Sequence, residues 1–213
     1  MSIERAELLF PSFRQDAVLT DSIGYLPAGA RVELLTAESQ SSFTVSFEGK
    51  SYEVPWSSLS PLPPTVPFLP TVSDGEIAAA ADAFGLTSET PYLLWTDLWR
   101  LQTYVLRRDD DTWQLERRIP CSAGDLSHPT PRGLYRIGSH TLSLGREGKY
   151  LTVYALHICG DYLYHSVILT PEGNELSDGR LGERISRGCI RHSVEESRRL
   201  YHTIPDGTSV LIR

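Results

Sequence analysis

Ser186-Arg187-Gly188-Cys189-Ile190-Arg191 is the stretch whose residue types could do covalent chemistry. It lies between a segment rich in Gly, Asp and Arg and a helical pattern at 193 to 204. A cysteine just before a helix has its thiolate favoured by the positive end of the helix dipole, and the flanking Arg187 and Arg191 act in the same sense. The expectation is a reactive thiol at Cys189. Gly188 permits a tight turn, and its N–H with that of Cys189 would form a donor pair for a developing oxyanion. The opposing reading is a cysteine that is simply a small buried hydrophobe, the commoner case for a cysteine taken alone.

A cysteine nucleophile needs a base, ordinarily a histidine brought near by the fold rather than by sequence. Of six histidines, His192 and His202 fall at the start of and within the helical pattern, and His128 and His140 in turn-like sequence. His157 and His165 remain, on two apolar runs joined by Cys159-Gly160-Asp161, which reads as a hairpin. Either could equally be a satisfied β-sheet histidine. Cys121 and Cys159 complete an odd cysteine count at wide spacings, which excludes a dense disulfide framework and zinc-type CxxC pairs. The count permits one disulfide, between those two, with Cys189 free. Disulfide exchange would need a resolving cysteine beside Cys189, and none is near in sequence. No set of histidines and carboxylates has ligand spacing, so no metal and no organic cofactor is expected.

The elements that must position these residues are mainly β. Short strand-like runs at 17–20, 31–36, 43–47 and 51–56 alternate with turn signals such as Leu26-Pro27-Ala28-Gly29 and Glu48-Gly49-Lys50, with Phe43, Val45 and Phe47 on one face. They predict a small all-β barrel over residues 1–60. Five prolines in the twelve residues from 60 to 71 mark an extended linker, placed at 61–72. Ser73-Asp74-Gly75-Glu76 opens an alanine-rich run that ends at Gly85, predicting a short helical connector within 73–89. From 90 to 213 the pattern is β again, with one helix over Ser193 to Ile204 before Pro205-Asp206-Gly207. The predicted architecture is a small N-terminal barrel, a proline linker and a larger β-rich domain with one packed helix.

Composition narrows the class. With 40% hydrophobic and 22% charged residues in 213, the chain reads as ordinary globular protein without a membrane span. A net charge of -7 with no Lys/Arg cluster argues against nucleic acid as a partner. No basic start and apolar run of a secretory signal is visible.

The ordered set Cys121-Ser122-Ala123-Gly124, Thr130-Pro131-Arg132-Gly133-Leu134-Tyr135, Tyr164-His165-Ser166, Gly182, Ser186-Arg187-Gly188-Cys189-Ile190-Arg191 and Asp206-Gly207-Thr208-Ser209-Val210 resembles the signature of the bacterial L,D-transpeptidase catalytic domain. The resemblance covers roughly 90 to 213. It departs from the family at Arg187, where histidine or lysine is usual, and in the 24-position gap from His165 to Cys189, which is somewhat long. It implies a β-sandwich with one packed helix, and an acyltransferase of cell-wall biogenesis and cell shape. In that reading Cys189 attacks a tetrapeptide stem of peptidoglycan, D-Ala leaves, and an amine of a second stem resolves the thioester into a 3→3 cross-link. His165 is the implied base, the carbonyl of Ser166 its orienting partner, and the Gly188 and Cys189 amides the oxyanion donors. Arg191, Ser186, Arg187 and Tyr164 are the candidate substrate contacts; for Arg191 bracing of the loop is the equal alternative, and for Tyr164, an aromatic on an alternating strand, a core position is the commoner case. The segment from Ser139 to Lys149 reads as a flap over the cleft or as a plain surface hairpin. Stem peptides and carbapenem inhibitors are the implied partners, and an extracytoplasmic location, cell wall or periplasm, the implied place. An L,D-carboxypeptidase, resolving the thioester with water, and an inactive wall-binding protein are the alternatives. The N-terminal module resembles, more weakly, a bacterial Src-homology-3-type barrel, with Tyr25-Leu26-Pro27-Ala28-Gly29 before a strand and Val54-Pro55-Trp56 near its close.

Overall fold

Alternation of apolar and polar residues builds the first sheet, β1 (Asp16–Leu19), β2 (Arg31–Ser39), β3 (Ser42–Phe47), β4 (Lys50–Pro55) and β5 (Leu59–Pro61), antiparallel in the order β4-β3-β2-β1-β5. Phe43 and Val45 point inward with Val32, Leu34 and Val54, while Thr44 and Ser46 lie between them on the outer face. Glu48 and Gly49 both take positive φ, 49° and 76°, the twist a two-residue hairpin loop requires. A one-turn 3-10 helix, Trp56–Ser58, leads into β5. The structure, a computed structural model, describes residues 1–213, the side chain of Glu38 excepted.

Residues 1 to 13 depart from the expectation that places them in the N-terminal module. They open with α1 (Ile3–Leu9), capped by the Ser2 side chain. Ala6 and Phe10 bury themselves against Trp95 and Tyr104 of the larger part, with the Phe10 and Trp95 rings 4.6 Å apart, and Phe13 packs on Trp99. Both aromatics thus join rings of the larger part rather than the core of the small sheet. The linker after β5 is irregular, and its last turn is held: Arg100 donates to the carbonyls of Leu9 and Pro70, and Arg118 to that of Val72. A Ser73–Glu76 capping box then starts α2 (Asp74–Ala83), whose Ile77, Ala80 and Ala81 are fully buried.

The larger part runs through β6 (Tyr92–Asp97), β7 (Gln102–Asp109), β8 (Thr112–Pro120), β9 (Ala123–Gly124), β10 (Gly133–Arg136), β11 (His140–Arg146) and β12 (Tyr150–Cys159). It continues with β13 (Tyr162–Ser166), β14 (Ile168–Leu169), β15 (Leu176–Asp178), β16 (Arg184–Ser186), β17 (Ile190–His192), α3 (Val194–Thr203) and β18 (Ser209–Ile212). One sheet has the order β10-β18-β6-β7-β8; the other has β15-β14-β12-β13-β17 with β11 on β12, and β9 pairs with β16. Along β6, Leu93 and Trp95 face α1 and α2, while Leu94 faces the second sheet, so a nearly continuous apolar run is buried on both sides. Between the sheets Leu94, Val105 and Val210 meet Leu156, Tyr164 and Ile190, and Leu200 and Ile204 of α3 join the same core. The molecule is mainly β, as the periodicity implied. Among the described residues no helix is long and apolar enough to cross a membrane.

Candidate active site

The site is set by a parallel pairing. Tyr164 lies against Ile190, His165 against Arg191 and Ser166 against His192 across β13 and β17. Because side chains alternate along a strand, Tyr164, Ile190 and His192 enter the core, while His165 and Arg191 open on the other face, with Leu163 and Cys189 one pleat earlier. These four line one cleft of about 590 Å³. The β11–β12 hairpin forms its far wall through Leu144, Arg146 and Lys149, so the predicted flap segment does border the cleft. His157 stays outside it, with its Nε2 2.9 Å from Thr141 Oγ1.

His165 is buried, with Nδ1 2.7 Å from the Ser166 carbonyl oxygen. A carbonyl only accepts, so the neutral ring carries its proton on Nδ1 and presents a lone pair on Nε2. Burial pushes its pKa down to about 4; the Ser166 carbonyl opposes this and the Arg191 charge adds to it. The imidazole is therefore neutral at pH 7.

Cys189 corrects the dipole argument. β17 intervenes between it and α3, so Cys189 sits five residues before the helix, beyond the reach of the helix terminus. Its half-buried thiol has a raised pKa, burial outweighing the hydrogen bond from the Leu163 backbone and the Arg191 charge. Arg187 does not figure among the causes. Sγ points to the Asp161 carbonyl at 3.5 Å, and no hydrogen bond joins it to His165 among the described residues. The resting pair is thiol and neutral imidazole on one face.

The loop before the thiol is clamped. Ser186 Oγ donates to the Cys189 carbonyl at 2.5 Å and accepts from the Gly188 amide at 3.1 Å. Thr130 Oγ1 donates to the Gly188 carbonyl and accepts from the Gly124 amide, both at 2.8 Å. Gly188 has φ +100°, and a Cβ there would lie 2.5 Å from the Tyr162 ring, so conformation and space both require glycine. Two expected substrate contacts have their hydroxyls engaged within the protein. Ser186 is buried with its hydroxyl spent inside the loop, and Tyr164 is a core residue, its OH 2.8 Å from Thr96 Oγ1 and its ring stacked on His192. The Gly188 amide, already engaged by Ser186, leaves that of Cys189 as the remaining donor of the pair.

Arg187 is exposed on the cleft rim. Arg191 is braced otherwise than by its side chain meeting backbone carbonyls: its backbone pairs with Ser122 and its Nη1 lies 3.2 Å from Asp178 Oδ2, while its buried Nε has no partner among the described residues. The Asp178 carboxyl, hydrogen-bonded first by Arg180 and then attracted by Arg191, is held down at about 2. No disulfide joins Cys121, Cys159 or Cys189, so the pairing considered for the first two is not formed; Cys121 is wholly buried, and Cys159 Sγ donates to the Ala37 carbonyl at 3.6 Å. Thr130, Tyr162, Asp161 and Asp178 are parts of the site to which residue type and spacing had assigned no role. Only Thr130 carried a signal, as part of the Thr-Pro segment. Among the described residues no three His, Cys, Asp or Glu side chains gather as they would around a metal ion.

Known proteins resemble the chain over this region. The Bacillus subtilis (strain 168) protein named "Putative L,D-transpeptidase YciB" is 32% identical over 91 residues, 39% of this chain and 46% of that protein, so the chain spans about half the length of the curated relative it matches. A fused Zn-dependent amidase/peptidase/peptidoglycan-binding domain-containing protein from Clostridium acetobutylicum ATCC 824 shares 29% identity at a TM-score of 0.52, covering 65% of this chain and 61% of that one. An L,D-transpeptidase from Mycobacterium smegmatis aligns over 100% of this chain and 86% of its own, at 16% identity and a TM-score of 0.46. The family model of the L,D-transpeptidase catalytic domain (YkuD) matches residues 91–212, more than half of the chain and both strands of the cleft, and the chain belongs to that family.

Proposed function

We propose that the chain is a cysteine-dependent peptidoglycan L,D-transpeptidase acting outside the cytoplasmic membrane, where its substrate lies. The observation that carries this reading is the shared cleft of Cys189 and His165, with His165 Nδ1 tied to the Ser166 carbonyl at 2.7 Å. That tie leaves Nε2 as the basic edge. Once the thiol turns from Asp161, His165 takes its proton and Sγ attacks the carbonyl carbon of the third stem residue. The oxyanion forms beside the Cys189 amide. His165 then protonates the departing D-Ala amine, leaving a thioester. An amine of a second stem attacks the thioester, gives up its proton to His165 and releases the thiol as the 3→3 cross-link forms.

Burial of both groups supports a general-base route from neutral partners rather than a standing thiolate–imidazolium pair. Arg191, which lines the cleft wall beside Asp178, and Arg187 on the rim are the side chains available to the stem's carboxylates. The N-terminal sheet is read as a Src-homology-3-type barrel on the support of its five antiparallel strands and the 3-10 turn before the last. Carbapenems are expected to acylate the same thiol. The test is incubation of purified protein with a disaccharide tetrapeptide: a dimer lacking one D-Ala is expected by mass spectrometry, tripeptide alone would make the enzyme a carboxypeptidase, and no product with no adduct on Cys189 would leave only wall binding.

A further inference from the structure

The N-terminal sheet does not stand off from the cleft. Its β2–β3 turn, Ser39 to Ser42, reaches the loop that carries Cys189. Gln40 Nε2 donates to the Arg187 carbonyl at 3.1 Å, and Gln40 lines the same cleft as His165 and Cys189. Behind it, the Tyr162 hydroxyl donates to the Ser39 carbonyl at 3.3 Å, and the Tyr162 ring is buried in the core of the small sheet although it belongs to β13. That ring is also the surface on which Gly188 rests. The turn is braced on its own side: the Ser39 and Ser41 hydroxyls lie 2.7 Å apart, the Trp56 amide donates to the Ser41 carbonyl at 2.8 Å, and Phe43 packs on Trp56. Further contacts fix the sheet in place, among them Thr36 Oγ1 at 2.6 Å from Tyr135 Oη and the Arg132–Glu33 ion pair.

The Arg187 carbonyl and the Gly188 amide are the two ends of one peptide unit, which is planar and turns as a body. Ser186 holds the amide end from within the loop; Gln40 holds the carbonyl end from the other module. The carbonyl of Gly188 and that of Cys189 are secured by Thr130 and Ser186. Among the described residues, the Arg187 carbonyl is the one in this loop whose partner lies outside the larger domain.

We infer that the N-terminal sheet completes the active site, with Gln40 as a positioning residue that fixes the Arg187–Gly188 peptide and through it the placement of Cys189. The inference rests on the reading of Cys189 as nucleophile. It gives the sheet a part in catalysis distinct from wall binding or spacing.

Acylation of Cys189 by imipenem, followed by mass spectrometry over time and concentration in the full chain, tests it with Gln40→Ala, Gln40→Glu and Gln40→Lys. Loss of one oriented hydrogen bond predicts about five- to tenfold slower acylation in Gln40→Ala and Gln40→Glu. The loss should fall on the first-order acylation constant, not on the concentration giving half-maximal rate. Gln40 is exposed, so melting temperature should not change in any variant. Gln40→Lys keeps a donor of similar reach and is expected to return the rate to within about twofold of wild type. Equal rates in all four proteins overturn the inference, as does a Gln40→Lys no faster than Gln40→Ala, or a loss confined to the half-maximal concentration. A wild-type protein that forms no adduct removes the reading of Cys189 itself, and this inference with it.

Discussion

The two faces of the β13–β17 pair hold a histidine each, both buried and each with one ring nitrogen hydrogen-bonded, and what separates them is the surroundings each face offers. His192 faces the core: Nε2 lies 2.9 Å from Thr103 Oγ1, its ring stacks on Tyr164, and Thr96 links Thr103 to the Tyr164 hydroxyl. His165, on the neighbouring strand, faces the cleft with one nitrogen tied to a carbonyl and the other unspent. Burial lowers both, His192 to about 3 and His165 to about 4. A strongly shifted pKa therefore does not distinguish the two; the face of the strand does. A histidine enclosed in the core, with Nε2 on a hydroxyl and Nδ1 buried without a partner, can only stabilise, whereas one with a basic edge on the cleft face can also move a proton.

The sharpest way to break that comparison is to remove each side chain in turn. Cys189→Ser and His165→Ala should abolish acylation or slow it by about 10²- to 10⁴-fold while the melting temperature changes little. His192→Ala should do the reverse, costing about 2–3 kcal/mol through a cavity and stranded hydroxyls while the folded protein still acylates. Imipenem adduct formation alongside thermal melting checks both. Equal loss of acylation in folded His192→Ala would mean that the core face also acts in the chemistry.

Sequence reading reached this pair unevenly. The spacing of β12 and β13 around Cys159-Gly160-Asp161 gave the hairpin, and the ordered motifs singled out His165 with Cys189. Periodicity could not assign Tyr164 to the core, because β17 is three residues long and its pairing with β13 is non-local. The same shortness hides β17: Ile190–His192 reads as the approach to the helix, which puts Cys189 at a helix terminus, whereas the helix proper is capped by Ser193. α1 escaped because seven residues show too little repeat, and its burial depends on aromatic partners more than 80 positions away. Capping boxes and hairpin turns are local chemistry and can be read directly; which face meets which is decided by the sheet.

Acid stability sharpens the comparison next. Unfolded histidines titrate near pH 6.5, the folded pair near 4 and 3, so on acidification from pH 6.5 the unfolded chain takes up protons that the folded one refuses. Their stabilising contribution is complete above pH 6.5 and falls as pH drops towards 4, by about 1.4 kcal/mol per pH unit for each histidine. Urea unfolding at pH 7, 6 and 5 should show this slope, and His192→Gln should remove about half of it. Acylation of the folded protein should pass through pH 6.5 without an acid break and lose its base only near pH 4. A break at pH 6.5 would mean that His165 is solvated in the reacting state.

Gly188→Ala separates the loop from both faces. Positive φ and contact with the Tyr162 ring should cost about 1–3 kcal/mol and displace the thiol, so stability and acylation fall together, unlike either histidine variant. Thermal melting paired with acylation rate reads both; a loss in only one would show that Tyr162 can yield.

The smallest expected effect concerns the charge beside the cleft face. Asp178 partly neutralises Arg191, whose field lowers the Cys189 pKa against burial and also disfavours protonation of His165. Asp178→Asn leaves that field uncompensated, so the thiol should become more acidic and alkylate about two- to threefold faster with iodoacetamide at pH 7. Stability should change by less than about 1 kcal/mol, because the pair is partly open to solvent. His192 has no such guanidinium among the causes of its shift, so its titration should not move. Slower alkylation in Asp178→Asn would mean that Arg191, once released, leaves the thiol for solvent, and that Asp178 holds the cation in place rather than tempering it.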